Sequence, residues 1–277
     1  DENGAALPRA PEGAPFAICH VSPGQVGCFA TRAICRDETV LEEAHLMGGC
    51  LNDMMPDRRG RLLNAEQMSK MEVIDRILRA VGPASERAKP AQDRIMEIWV
   101  EAKVDGMADE DKRLFWNLSD VNRNVSKVSE GATVQIDGLL SKSSLALNGK
   151  FATLGKRTCE ERWEVTVHDG DRPKNISVAS SNLKTSVGIV TTNTFRGDLS
   201  AGIEMCVLND TSRFNHACEP NLRNNVLADG SFRHQCVVNA DITLGAELTV
   251  SYSKNRDLLK SQWGFDCRCR SCIERGF

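Results

Sequence analysis

The chain has 277 residues, enough for one large domain or two small ones, and 41% of them are hydrophobic, enough for a substantial core. Its 35 Lys and Arg stand against 38 Asp and Glu, and the net charge of −3 offers no basic footprint for direct nucleic-acid binding. No apolar run of about eighteen residues occurs, so the sequence predicts neither a membrane span nor a membrane partner.

The 11 cysteines are an odd number and mostly stand as single residues, which disfavours the disulfide framework of a secreted protein. A reducing compartment, the nucleus or the cytoplasm, is therefore expected. Residues 1–15 are polar, rich in Gly, Ala and Pro, and lack an initiator Met. They are expected to be a disordered leader and to belong to a longer polypeptide.

The next segment alternates apolar and polar side chains between turn residues, which predicts strands over 26–34 and 39–47. Turns are expected at 22–24 and 36–38. The single cysteines of this segment are expected to be small buried residues that need no metal: Cys19, Cys28, Cys35 and Cys50.

Helical periodicity follows. Apolar residues recur at helical spacing from 62 to 81, and Gly82 and Pro83 are expected to end that helix. A second helix is predicted to begin near Pro90, and a short third one after the acidic residues 109–111.

Residues 121–185 are rich in Ser, Asn, Lys and Gly and predict an irregular, partly mobile insertion. One hairpin is expected there, with strands at 163–167 and 176–178 joined around Asp169-Gly170 and Pro173. The isolated Cys159 and His168 are expected at the surface.

The last part of the chain again predicts strands, first over 203–208. A hairpin with strands 225–228 and 232–238 is expected around the turn Asp229-Gly230. A strand over 245–252 ends at Tyr252, the only tyrosine of the chain. Side chains in or beside these strands that are expected in the core or on a strand face are Cys206, His234 and Cys236.

A Cys-x-Cys-x-x-Cys run, Cys267, Cys269 and Cys272, is too tightly spaced for comfortable disulfides but suits one tetrahedral zinc. Three thiolates need a fourth ligand. Cys218 is the natural candidate, because it lies in a polar loop with the helix-breaking Pro220. The sequence thus predicts a structural zinc site that clamps the tail to this loop.

Three motifs occur in order: Asn-His-x-Cys-x-Pro-Asn at 215–221, Glu-Leu-Thr-x-Ser-Tyr at 247–252 and Phe-x-Cys-x-Cys-x-x-Cys at 265–272. Together they resemble the SET-domain protein lysine methyltransferases with a post-SET zinc segment. The resemblance is nearest to the SET-and-MYND branch, although no MYND finger is visible in the sequence.

This resemblance implies a mainly β fold with a helical insertion (α+β): small sheets, a C-terminal pseudoknot and a post-SET zinc site. It divides the chain into the leader 1–15, an N-terminal SET part 16–52, a helical and irregular insertion 53–185, a C-terminal SET core 186–258 and a post-SET segment 259–277. The segment Thr192-Asn193-Thr194-Phe195 resembles the family's Thr-Asn-x-Phe element near the cofactor and substrate channel.

The resemblance also implies S-adenosyl-L-methionine as cofactor, beside one structural Zn²⁺. Gln25, Val26 and Gly27 resemble the family's Gly-x-Gly turn that meets the methyl donor, with Gln25 in place of the first glycine; a plain hairpin is the alternative. Asn215 and His216 resemble the loop that brackets the donor, and a surface histidine is the alternative for His216. The ring of Phe265 resembles the aromatic residue that packs on adenine, a role compatible with being a core residue.

By resemblance Tyr252 is the catalytic residue, whose phenol oxygen stabilises the charge of methyl transfer. Many members of the family line the lysine channel with a second tyrosine, and this chain has none. Trp263 and the nine phenylalanines instead offer apolar room, which predicts methylation beyond one methyl group.

The expected function is S-adenosylmethionine-dependent methyl transfer to a lysine of a protein, a histone tail or a non-histone substrate. The alternative is a catalytically inactive, zinc-stabilised protein-binding module derived from such an enzyme, which Gln25 and the scarcity of tyrosines favour. A zinc-containing nucleic-acid binder is disfavoured by the negative net charge.

Overall fold

The computed structural model describes residues 9–22, 25–121, 123, 125, 128–168, 172–196, 205–227 and 233–276. The strands are β1 (Phe16–Ser22), β2 (Gln25–Ala30), β3 (Thr39–Ala44), β4 (Met47–Gly49), β5 (Thr133–Ile136), β6 (Phe151–Cys159), β7 (Arg162–Val167), β8 (Lys174–Ala179), β9 (Leu183–Thr185), β10 (Thr194–Arg196), β11 (Met205–Val207), β12 (Asn215–His216), β13 (Leu222–Val226), β14 (Arg233–Val238) and β15 (Glu247–Val250). The α-helices are α1 (Ala65–Val81), α2 (Lys89–Asp105), α3 (Asp109–Trp116), α4 (Ser186–Asn193), α5 (Arg256–Trp263) and α6 (Arg270–Glu274). Short 3-10 helices are Leu51–Met54, Arg59–Arg61, Glu86–Ala88, Leu145–Leu147, Ser180–Asn182 and Thr211–Arg213.

The chain forms two compact units. The first combines Asp1–Gly48 with Asn193–Phe277, and the second is Gly49–Thr192. Small sheets with helices make up both, which confirms the predicted α+β class.

Three sheets belong to the first unit, with strand orders β1-β2-β15-β12, β13-β14-β3 and β10-β11-β4, the last strand ending at the unit boundary. In the first sheet β15 is antiparallel to β2 and parallel to β12, with Asn215 opposite Thr249 and His216 opposite Val250. The two motif-bearing segments therefore lie side by side. The threading of a pseudoknot goes beyond this pairing and stays a prediction.

Alternation along β1 and β2 places one face of the hairpin in the core. Phe16 and Ile18 from β1 pack with Cys28 and Ala30 from β2, and the ring of Phe214 meets that of Phe16 edge-on at 5.2 Å between centroids. Burial of such apolar side chains contributes about 1.5–3 kcal/mol each, so this cluster stabilises the sheet that carries β12 and β15.

The second unit begins with helices whose ends the sequence specifies. Asn64 caps α1 by accepting from the backbone N–H of Gln67 at 2.9 Å, and Gly82 ends it with φ +80°. Pro90 lies in the first turn of α2, where no N–H donor is needed, and Trp99 in that helix is fully buried. The rest of the unit includes an antiparallel sheet of order β8-β7-β6-β5-β9.

Most predicted elements are found, with corrections at their ends. The helices α1, α2 and α3 and the pairing of β7 with β8 and of β13 with β14 agree with the sequence patterns. The strand predicted over 26–34 ends at Ala30, and Ile34 instead bridges Ile242. The strand predicted over 39–47 ends at Ala44 as β3, and Met47 begins β4, which belongs to a different sheet.

Two further expectations are wrong. Residues 121–185 contain all five strands of the sheet β8-β7-β6-β5-β9, whereas the sequence indicated one hairpin in an irregular segment. The expected disorder does not extend over residues 9–15, because Ala10 and Ala14 pack on the core and Pro15 O accepts from Thr31 N at 2.9 Å.

Some predictions fall outside the described residues. These are the turns at Pro23-Gly24, Asp169-Gly170 and Asp229-Gly230, and the first two residues of the strand expected over 203–208.

Among the single cysteines, Cys28, Cys50, Cys206 and Cys236 are buried as expected, and Cys159 is exposed as expected. Cys35, by contrast, is exposed and Cys19 is half-buried. None of the helices in the described part of the chain is both long and apolar enough to cross a membrane.

Candidate active site and metal centre

At Gly27 in β2, the strands β2, β12 and β15 come close together. A Cβ at this position would lie 2.7 Å from Glu247 Oε1, a distance that real Cβ atoms essentially never show, and 3.0 Å from Asn215 Nδ2, a tight contact. A larger residue here would therefore have to displace these two side chains, which glycine avoids. Val26 beside it is half-buried, and Gln25 is exposed at the start of the strand.

Asn215 in β12 ties this strand to its neighbours. Its Nδ2 donates to the Val26 carbonyl at 3.0 Å and to Glu247 Oε1 at 2.7 Å. Both amide hydrogens thus have partners within the chain, and Oδ1 is the atom through which Asn215 can meet a ligand.

Asn221, the last residue of the first motif, holds β15 in place. Its Nδ2 donates to the Glu247 carbonyl and its Oδ1 accepts from Thr249 N, both at 2.8 Å. The Asn221 amide thus pairs with backbone groups of β15 as a neighbouring strand would, because it offers one donor and one acceptor. Asn221 and Glu247 belong to the sequence motifs, but their motif positions alone do not predict these hydrogen bonds.

His216, the second residue of β12, contacts two functional segments. Its Nδ1 accepts from the backbone N–H of Tyr252 at 3.0 Å, and its Nε2 lies 3.5 Å from Cys218 Sγ. Burial lowers the pKa of His216, which favours the neutral imidazole.

Tyr252 lies two residues beyond β15, and its hydroxyl donates to the Phe214 carbonyl at 2.7 Å. Burial raises the pKa of Tyr252 well above its ordinary value, so the phenol is neutral at physiological pH. Its ring has aromatic neighbours, with centroid distances of 5.3 Å to Trp263, 5.5 Å to His216 and 6.4 Å to Phe265.

The four predicted zinc ligands come together. Sγ of Cys218 lies 3.7 Å from that of Cys267 and 3.4 Å from that of Cys272, and the four sulfurs, with Cys269, all lie within 4.8 Å of one another. A tetrahedral zinc with bonds of about 2.3 Å holds its sulfurs about 3.8 Å apart. The donor set and the spacing both fit zinc.

The pKa values of Cys218 and Cys269 are shifted in opposite directions. Burial raises the pKa of Cys218, and hydrogen bonds to the other three thiols raise it further. Burial also acts to raise the pKa of Cys269, but hydrogen bonds from the backbone of Cys218 and Cys272 and from two thiols outweigh it and lower that pKa.

Glu43, in β3, supports the loop that leads into β12. Its Oε2 accepts from the backbone N–H groups of Asn209 and Asp210 at 3.1 and 3.0 Å, and its Oε1 accepts from the backbone and the hydroxyl of Thr211 at 2.6 and 2.5 Å. Sequence reasoning missed this residue. β3 pairs with β14, and a β-bulge between Cys236 and Val237 of β14 shifts the register of this pairing. No pattern in the sequence reveals the shift.

The structure thus brings Val26, Gly27, Asn215, His216 and Tyr252 into contact, and places Phe265 beside His216 at 5.9 Å between ring centroids. The four cysteines adjoin this group through Cys218. Gln25 is at its exposed edge.

Comparison with known proteins places this arrangement in context. No protein with a curated description matches the chain significantly. Among solved structures, the chain is similar to one described as the crystal structure of the SET domain of LSMT bound to lysine and AdoHcy. The sequence identity is 12% and the TM-score 0.37; the match covers 94% of this chain and 54% of that one, so the chain spans about half of its length.

The family model described as "SET domain" matches residues 25–253. This range begins at the exposed end of β2 and ends one residue beyond Tyr252, so it contains both the Gly27 approach and the Asn215–His216 segment. It leaves the three cysteines of the tail outside. Because the match spans most of the sequence, the chain belongs to the SET domain family.

Proposed function

We propose that the chain is an S-adenosylmethionine-dependent methyltransferase acting on a lysine of a histone or non-histone protein, in the nucleus or the cytoplasm. The observation that carries this proposal is the position of Tyr252. Its neutral hydroxyl is fixed by the Phe214 carbonyl at 2.7 Å, and its backbone is fixed by His216 at 3.0 Å, in the same group of residues as Asn215 and Gly27.

S-adenosylmethionine, when bound, would supply a methyl group on a positively charged sulfur. Asn215 Oδ1 would accept from the ammonium group of the donor, since the amide hydrogens of Asn215 already have partners. Backbone groups of Gln25, Val26 and Gly27 would meet the donor near its methyl group, and the ring of Phe265 would pack against the adenine.

Tyr252 would stabilise the transferring methyl group electrostatically. Because its proton is directed to the Phe214 carbonyl, the lone pairs of its oxygen are available to face the positive charge. Because the raised pKa keeps the phenol protonated at physiological pH, Tyr252 has no free site for the proton of the amine and does not serve as the base. The lysine amine, with an ordinary pKa of about 10.4, would have to lose its proton to solvent on entering an apolar channel.

One zinc ion would be held by Cys218, Cys267, Cys269 and Cys272 in a post-SET site. Four thiolates leave no open coordination position for water, so the ion would be structural. It would fasten the tail that bears Trp263 and Phe265, whose rings lie beside Tyr252.

Calorimetric titration with S-adenosylmethionine, followed by transfer of a labelled methyl group to a histone mixture and to a cell extract, tests the proposal. We expect binding of the donor and label on lysine after hydrolysis of the product. Donor binding without label on any lysine, or no donor binding by zinc-loaded protein, would favour the alternative of a non-catalytic protein-binding module.

A further inference from the structure

We infer that His216 is a positioning residue that couples the four-cysteine site to Tyr252, by donating from Nε2–H to Cys218 while accepting the Tyr252 backbone N–H at Nδ1. The inference rests on the zinc site of the proposed function and adds a connection between that site and the catalytic residue.

The geometry determines which ring nitrogen carries the proton. Tyr252 N is a donor, so His216 Nδ1, 3.0 Å away, has to be the unprotonated nitrogen. In the neutral ring the hydrogen is then on Nε2. Nε2 lies 3.5 Å from Cys218 Sγ, a normal separation for a donor facing sulfur, and the bond direction is therefore from His216 to Cys218.

The strength of this hydrogen bond depends on the state of Cys218. Without a metal Cys218 is a free cysteine, and a thiol sulfur is a weak acceptor. A zinc-bound sulfur is a thiolate, and hydrogen bonds to ionised acceptors are roughly twice as strong as those between neutral groups. Metal binding therefore fixes the imidazole, as outer-shell partners of metal ligands do.

The fixed imidazole in turn restrains Tyr252. His216 is the last residue of β12, opposite Val250, and Ala217 N continues the pairing by donating to the Val250 carbonyl at 3.1 Å. Tyr252 is two residues beyond that point, where the strand pairing has ended, so the bond to His216 Nδ1 is what holds its backbone. Metal binding at the four cysteines thus restrains the backbone of Tyr252 through His216.

Two substitutions separate the two ends of the imidazole. In His216→Asn, the amide oxygen occupies the place of Nδ1 and can accept from Tyr252, but no donor reaches Cys218. In His216→Gln, the amide nitrogen occupies the place of Nε2 and can donate to Cys218, while the acceptor for Tyr252 is lost. The two variants are similar in size and polarity and serve as each other's controls.

The single tyrosine of the chain supplies a direct readout. Protein labelled with ¹⁵N-tyrosine gives one backbone amide signal, that of Tyr252, which is the donor to His216. The signal is recorded for zinc-loaded protein and after treatment with a chelator, and zinc affinity is measured by competition with a chromogenic chelator.

In the wild type we expect removal of zinc to shift the Tyr252 signal. His216→Asn should bind zinc about 10–100-fold more weakly, the usual effect of losing an outer-shell partner. At saturating zinc its Tyr252 signal should respond less than in the wild type, because only the nearby rings of Trp263 and Phe265 still report the metal. His216→Gln should retain near wild-type zinc affinity and show a Tyr252 signal displaced in both states.

Wild-type zinc affinity in His216→Asn, or a Tyr252 signal that responds to zinc in both variants as in the wild type, would overturn the coupling while leaving the zinc site and the methyltransferase intact. A wild-type chain that binds no zinc would overturn the zinc site itself, and the inference with it.

Discussion

At the scale of single residues, the site includes a glycine with crowded surroundings. An added Cβ at Gly27 would lie 2.7 Å from Glu247 Oε1 and 3.0 Å from Asn215 Nδ2, so these side chains would have to move. We expect Gly27→Ala to lower the free energy of unfolding by about 1–3 kcal/mol, because it overpacks this approach, and to weaken donor binding by displacing Asn215. Urea unfolding and calorimetry measure the two effects. Gly60→Ala, where a Cβ meets nothing within 4 Å, is the control and should be nearly neutral.

Tyr252 is the residue on which turnover is expected to depend. Tyr252→Phe removes the hydroxyl and keeps the ring, so methyl transfer should fall by about 10²-fold or more while donor affinity changes little. The Phe214 carbonyl also loses its donor, which should cost about 1–2 kcal/mol of stability. Turnover and urea unfolding are measured beside Trp163→Phe, a half-buried residue of β7 in the second unit. Wild-type turnover in Tyr252→Phe would exclude the phenol from the mechanism.

The raised pKa of Tyr252 has a consequence for stability at alkaline pH. Above pH about 10 the unfolded chain loses the phenol proton while the folded chain keeps it, so stability falls as pH rises, by about 1.4 kcal/mol per pH unit from this group. Ultraviolet titration of the only tyrosine should give a midpoint above 10 in native protein and near 10 in urea. The stability difference between wild type and Tyr252→Phe should shrink over the same range.

At the scale of elements, the tail is expected to depend on the metal. Its short helices α5 and α6 bury little apart from Leu259, the cysteines and the aromatic rings beside Tyr252. We expect Cys269→Ser to reduce zinc content below one per chain and to weaken donor binding, because Phe265 is no longer held in place. Metal analysis and calorimetry provide the measurement, with the exposed Cys159→Ser as control. Unchanged donor affinity after loss of zinc would show that the tail is not coupled to donor binding.

Local signals account for which elements could be predicted. The helices α1 and α2 begin and end at residues that specify helix ends, Asn64, Gly82 and Pro90. The strands β5 and β9, with four and three residues, carry too little periodicity to be recognised. They form because β9 pairs with β5 and β5 pairs with β6. Local sequence pattern alone therefore does not predict the five-stranded sheet.

At the scale of the whole molecule, the single tyrosine bears on how many methyl groups are added. The ring nearest to Tyr252 among its aromatic neighbours is Trp263, which has no hydroxyl to restrain a methylated amine. We expect product beyond monomethyl-lysine at high conversion, measured by mass spectrometry of a peptide substrate. Trp263→Tyr should shift the product towards monomethyl-lysine, with Trp163→Tyr as control. Strictly monomethylated product from the wild type at every time point would contradict this expectation.

The sequence by itself was enough to predict the resemblance to the family, the class of fold and the four cysteine ligands, because these depend on residue types at fixed spacings within short motifs. Tertiary structure alone decided how these parts serve one another: that Asn215 directs its amide hydrogens to Val26 and Glu247, and that His216 stands between Cys218 and Tyr252. The pairing of Asn215 with Thr249 joins residues far apart in the chain, and hydrogen bonds across such separations are selected by packing and strand register, which local sequence does not encode.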